Sequence, residues 1–225
     1  MGKKVKIIKF EKFLPEFLDL QSSKPNIPKW YKDLPEYNGP DIWIDKSIKF
    51  CMPFLDSLTS GYMIPLQVDV HVKQIDGNPL FTWGNGNLEI VHIRSEKDAF
   101  IPVPPGYSLL KPAWKLPLAL ELPKGYSMLV THPLNRFDLP FITVSAIIDD
   151  FKQPNGSMPF MIKKGFEGLI EAGTPIAQII PFKRENWKKE NSPGLKEASL
   201  VNGFRSIGSL RGWYKHTFWK RKTYE

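Results

Sequence analysis

One cysteine, Cys51, stands in 225 residues, so the chain has no internal disulfide framework. A lone thiol suits a reducing compartment, and a cytoplasmic location, bacterial or in a phage-infected host, is expected. At a single position cysteine also serves as a small apolar core residue. No stretch approaches the roughly 18 uncharged apolar residues that a spanning helix needs, so no membrane partner is expected. The start, "MGKKVKIIKFEKFLPEF", has no clean apolar run because Lys9, Glu11 and Lys12 interrupt it. Neither a signal peptide nor a lipid anchor on Gly2 is expected from it. No repeat of solenoid period and no low-complexity tract is present.

What the chain does have is apolar residues at 42%, enough for a core, with 24% charged residues. Its twenty-one Pro and sixteen Gly are many for a helical protein and suit short strands joined by turns. The net charge is +8, and it is uneven. From Lys183 to Glu225 there are eleven Lys and Arg against four Glu. A field of that sign attracts phosphates, nucleic acid or an acidic partner, and it also serves solubility.

Three parts are expected. Residues 1–50 form an arm whose Pro25, Pro28, Pro35 and Pro40 rule out a regular helix or central strand. Its Trp30, Tyr31, Tyr37 and Trp43 are expected to pack it down, with a short helix at Lys29–Leu34. Residues 51–183 form the body. In "GYMIPLQVDVHVKQI" Leu66, Val68, Val70 and Val72 share one face and Gln67, Asp69, His71 and Lys73 the other, the period of a half-buried strand. "DGNP" and "GNGN" turn the chain, and "LEIVHI", "PKGYSMLV", "PFITVSAII", "SMPFMIKK" and "AGTPIAQIIPF" follow as further short strands. Such spacing predicts an all-β barrel or sandwich. Residues 184–225 form a basic extension. Its first half reads as polar and partly mobile, and "GWYKHTFWKRKTYE" as a docked helix or last strand.

One segment carries a chemical lead. "LPKGYSMLVTHPLNRFDLPFITVSAIIDD", Leu122 to Asp150, is a turn, a strand, a polar loop and a strand ending on two carboxylates. "GLIEAGTPIAQIIPF" then feeds another apolar strand through a tight turn. This ordered series resembles the dUTPase and dCTP deaminase superfamily, whose fold is the β-clip. Its "P-x-G-Y", "P-R-S-G", "G-V-I-D" and "G-D-R-I-A-Q-L" pieces correspond to "LPKGY", "HPLNR", "AIID" and "AGTPIAQII" here. "SGYMIPL", Ser60 to Leu66, is faintly similar to the family's "A-G-Y-D-L". The resemblance covers roughly Pro102 to Phe182. Over its whole length the chain also resembles a family of uncharacterised phage and bacterial proteins, sharing "IPKWYKDLP", "GYSMLVTHPLNRFDLPF" and "GFEGLIEAGTPIAQIIPFKRE".

The superfamily resemblance implies a β-clip body, a nucleotide ligand, Mg²⁺ among its phosphates and a homo-oligomer, a trimer in that family. It implies Asp149 as the catalytic carboxylate that orients water and a sugar hydroxyl. It implies Asn135 and Arg136 on the phosphate loop, with His132 and Asp150 beside them. "NGFRSIGS" is loosely similar to the family's mobile "G-F-G-S" arm, with Phe204 to stack on a base and Arg205 to pair with a phosphate. The departures are specific: the phosphate-loop Ser and Gly are absent from "PLNR", and Phe151 lies near where the family has a tyrosine.

Other readings stand beside this one. Asp149 and Asp150 also suit a strand end that begins a turn. Arg136 and Asp138 suit an ion pair across a loop, His132 a satisfied loop histidine, and Gly203 to Ser209 a linker. Asp69 and His71, two apart on one strand face, suit a metal pair with His92 or His132 as third ligand. "RGWYKHTFWKRK" interleaves cations with aromatics as nucleic-acid binders do. A non-enzymatic assembly component, in a virion for example, suits an extended arm and a basic tail. The residues favour binding, with possible Mg²⁺-dependent hydrolysis, of a phosphorylated small molecule, a nucleotide above others.

Overall fold

The alternation at Val70–Ile75 produces the strand it predicts. In the computed structural model, which describes residues 6–42, 44–84, 88–94, 101–149, 156–207 and 212–225, Val70 and Val72 are buried and His71 and Lys73 exposed. Asp76 (φ 50°) and Gly77 (φ 77°) turn this strand back on itself, with Ile75 opposite Asn78. Two left-handed residues in a two-residue loop are what an Asp-Gly hairpin requires.

The chain divides into two compact units, Met1–Ser23 with Gly61–Arg184, and Lys24–Ser60 with Glu185–Glu225. The first unit is all-β. Its strands are β1 (Lys9–Lys12), β2 (Gln21–Ser22), β3 (Tyr62–Pro65), β4 (Val70–Ile75), β5 (Asn78–Trp83), β6 (Val91–Ile93), β7 (Pro112–Lys115), β8 (Leu118–Glu121), β9 (Tyr126–Thr131), β10 (Phe141–Thr143), β11 (Ala146–Ile148), β12 (Ser157–Ile162), β13 (Gly168–Ile170) and β14 (Pro175–Lys183). They form sheets ordered β1-β8, β10-β12-β7-β6, β11-β9-β14-β3-β2 and β13-β4-β5. The pairings among the described residues are antiparallel.

Two runs that read as single strands are each broken between sheets. Residues 62–75 divide into β3 and β4, and residues 141–148 into β10 and β11. At the first break Leu66 exchanges bonds with the β13–β14 turn, its N–H to Thr174 O (2.8 Å) and its O from Gly173 N–H (2.8 Å). The Asp69 carboxylate takes the Ala172 N–H at 2.7 Å. Asp69 is thus a turn acceptor. Among the described residues no group of three or more His, Cys, Asp or Glu is placed to hold a metal ion.

The core is built on an aromatic stack. Trp114 lies parallel to Phe160 at 3.7 Å between ring centres, and Phe141 meets Trp114 edge-on at 5.1 Å. All three are fully buried, with Ile64, Leu66, Val70, Leu118, Met128, Ile162 and Ile179 around them.

The second unit carries the helices α1 (Lys29–Asp33), α2 (Met52–Thr59), α3 (Leu195–Ile207) and α4 (Trp213–Thr217). Helix α1 falls where the sequence predicts it. Tyr31 stacks on Phe54 at 5.9 Å with Trp30 edge-on to both, and Tyr37 packs on Phe50, so these arm aromatics gather on α2 and its approach. Trp43 lies outside the described residues. Near residue 220 the chain is held to α2. Trp219 Nε1 donates to both oxygens of Asp56 on α2 (3.0 and 3.1 Å), and Lys222 pairs with the same carboxylate. No helix among the described residues is long and apolar enough to cross a membrane.

Candidate functional site

The site follows from the register around β9. Ile148 of β11 stands opposite Met128, which brings the next residue, Asp149, beside Ser127. Ser127 is buried, and its hydroxyl donates to Asp149 Oδ1 at 2.5 Å. On the other flank Phe182 of β14 pairs with Ser127. Side chains two apart share a strand face, and Arg184 accordingly reaches the carboxylate, Nη1 to Oδ2 at 3.5 Å. Both remain open to solvent, with side-chain exposures of 66% for Asp149 and 51% for Arg184. The Arg184 N–H also bonds Gly125 O at 2.8 Å, tying the end of β14 to the turn that carries Lys124. Lys183 stands opposite Tyr126. One sheet end therefore carries a serine-anchored carboxylate paired with Arg184, while Lys183, one residue earlier, belongs to the opposite face.

The other end of β9 carries the loop that reads as phosphate-binding. Arg136 grips Asp138 with Nε (2.9 and 3.1 Å) and Nη2 (2.8 Å), the local ion pair also legible in the sequence. Asn135 adopts φ 60°, a left-handed turn position that asparagine tolerates. The Leu134 N–H is held by the buried Gln178 Oε1 at 2.8 Å. His132 is engaged on both nitrogens: Nδ1 accepts from the Thr143 N–H (3.4 Å), and Nε2 donates to Arg136 O (3.1 Å). Its ring packs edge-on against Phe141.

These contacts fix a neutral ring, and burial holds the His132 pKa below its ordinary 6.5. The folded form thus binds the proton less readily than the unfolded chain. This contribution to stability is full above pH 6.5 and declines as pH falls below it toward the folded-state value. In urea unfolding at pH 8 and pH 5.5, His132→Gln is expected to lose part of the acid-side fall in midpoint that the wild type shows. An unchanged slope would remove His132 as its source.

The residues expected to cooperate are thus distributed. Ser127 and Thr131 are four residues apart, roughly 13 Å along an extended strand. Asp149 is at the first end, and His132, Asn135 and Arg136 are past the second. Asp150 lies outside the described residues. Phe204 and Arg205 belong to the second unit. There residues 203–207 form the end of α3, a helix where the sequence reads as a loop or mobile arm. Phe204 is exposed, and the Arg205 guanidinium lies 5.8 Å from the Trp213 ring. Neither Ser127 nor Arg184 stands out as a site residue in the sequence. A serine within the apolar run "YSMLV" is the signal that points to the first. For the second the only hint is a cation directly after a long apolar strand.

No protein-family model matches the chain, and no curated protein matches it. Solved structures do align with it. One is a dUTPase variant from phage phi11 of S. aureus, described with a structural Mg(II) ion. It aligns over 83% of this chain and 97% of its own, at 11% identity and a TM-score of 0.39. Another is a dUTPase variant of Staphylococcus bacteriophage 80alpha with dUpNHpp, with the same coverages, 9% identity and a TM-score of 0.35. The likeness is to phage dUTPases, and it is remote. Mg²⁺ fits the site only in part. Asp149 is a single carboxylate already engaged by Ser127 and Arg184, so the described residues build no protein-held site for the ion.

Proposed function

We propose that the protein binds a phosphorylated small molecule, a nucleotide above others, where Asp149 and Arg184 meet. The observation that carries this reading is the Asp149 carboxylate held between the Ser127 hydroxyl and the Arg184 guanidinium at an exposed strand end. The serine orients the carboxylate, and its solvent-facing lone pairs are left to accept from a sugar hydroxyl or to position a water. Arg184 supplies the positive charge and the planar fork that phosphate recognition uses. In this reading Arg184 takes the cationic role that the sequence gives to Arg136. Hydrolysis, with Asp149 as base, is the finer form of the proposal. Mg²⁺ would arrive with the phosphate oxygens that supply most of its ligands. A homo-oligomer belongs to the same reading, with Arg136 and Asn135 offered to the Asp149 ligand by a second copy.

The test is a thermal-shift series with nucleoside mono-, di- and triphosphates, with and without Mg²⁺. Ligand at a hundred times its Kd stabilises by about 2.7 kcal/mol, several degrees for a chain of this size. Arg184→Ala is expected to abolish the shift, and Asp149→Asn to reduce it. An Arg136→Ala variant that keeps the full shift would remove the second-copy contribution. No shift with any nucleotide would sink the proposal. It would favour a role as an interaction or assembly protein, which the exposed Phe137 (77%) and Ile147 (69%) already suit.

A further inference from the structure

A second site of different character lies in the all-β unit, far in sequence from Asp149. Strand β1 pairs with β8 as far as Lys12 opposite Leu118, and Phe13 N–H bonds Pro117 O at 3.0 Å. The next five residues then form a turn that serves as a flap, with the Phe17 N–H bonded to Leu14 O at 3.1 Å. The flap is stapled from both sides. Lys12 Nζ donates to Pro15 O (2.9 Å) and Phe17 O (2.8 Å). Gln67 accepts the Leu18 N–H at 2.6 Å while its own amide donates to Pro65 O at 2.8 Å.

Beneath the flap is a cavity of about 390 Å³, within the range of small-molecule sites. Phe13, Leu14, Phe17, Leu88 and Ile90 are among the apolar side chains that line it. Among the described residues its charged lining is a pair, Lys115 Nζ to Glu89 Oε2 at 3.1 Å. His92 Nδ1 contacts the other Glu89 oxygen at 2.6 Å. That hydrogen bond, aided by Lys115, holds the Glu89 carboxyl below its ordinary range and therefore ionised.

The pair decides what can bind. A ligand with a net charge would have to split Lys115 from Glu89 and face one like charge. A ligand with a neutral donor beside a neutral acceptor meets both partners at once. Two phenylalanines in the wall favour a flat ring. We propose that this cavity binds an uncharged planar molecule with a lactam edge, its carbonyl toward Lys115 and its N–H toward Glu89.

The test uses the bicyclic lactam carbostyril, with naphthoate and naphthylmethylammonium as charged counterparts of similar size, in saturation-transfer NMR on the full chain. Carbostyril is expected to bind at least about tenfold more tightly than either ion, and Lys115→Met to weaken it about tenfold, the worth of one hydrogen bond to a charged group. Leu14→Trp, which fills the cavity from the flap, is expected to abolish binding. Leu88→Trp serves the same purpose should the first variant fail to fold. Three results would overturn the proposal: no transfer to carbostyril from the folded wild type, equal or tighter binding of an ion, or binding undiminished in the filled variants. No nucleotide enters this experiment, so its failure leaves the Asp149 reading as it was.

Discussion

Replacing Gly61 by alanine is expected to cost at least about 3 kcal/mol, enough to unfold a marginal chain. Gly61 sits at φ +72°, and a Cβ there would lie 1.9 Å from the Ile179 carbonyl oxygen and 2.9 Å from its carbon. The left-handed backbone alone costs alanine about 1–2 kcal/mol. The overlap adds to this because the obstacle is main chain in β14, which cannot swing aside as a side chain does. Tyr62 is paired with Ile179 in the same ladder, so relief requires parting β3 from β14. Gly77→Ala is the control. That residue has φ +77° with nothing within 4 Å of a new Cβ, so only the backbone cost applies. Urea midpoints for the two variants should differ widely; similar midpoints would mean that β14 yields.

Trp114→Ala is expected to cost about 3–5 kcal/mol, the range for emptying a large aromatic site. The ring is stacked on Phe160 and abutted by Phe141, so its removal strips partners from two other buried rings. Trp114 pairs with Val91 on one side and Met158 on the other, and the hydrogen-bonded strands hold the walls of the hole apart. Trp114→Phe should cost much less. It keeps a stacked ring, and the indole N–H it removes has no hydrogen-bond partner among the described residues. Chemical denaturation followed by fluorescence distinguishes the two. Equal losses would place the importance of the position in the indole edge and not in the stack.

Local patterning was readable, and long-range exchange was not. The β4–β5 hairpin was written in alternation and an Asp-Gly pair, both properties of adjacent residues. The breaks at residues 66–69 and 144–145 were not, because what ends β3 is a bond from Leu66 to Thr174, more than a hundred positions away. Helix α3 is not legible in the sequence because Gly203 and a polar composition weigh against a helix. The site divides in the same way. Asp149 stands out in the sequence as a carboxylate after an apolar strand, and its proposed role comes from the resemblance to the dUTPase superfamily. Its partner Arg184 comes from β14, which lies beside β9 only once the sheet has formed, whereas the nearer Arg136 is taken by Asp138 two residues on.

The second unit is assembled from residues 24–60 and 185–225, and Trp219 reaches Asp56 across 163 positions. A ribosome releases the earlier piece long before the later one. The β-rich segment can therefore mature during translation, while helix α2 waits, its Asp56 carboxylate uncovered, until the stretch around Trp219 emerges. Completion of that unit waits on Trp219, whose indole joins the later segment to the earlier one.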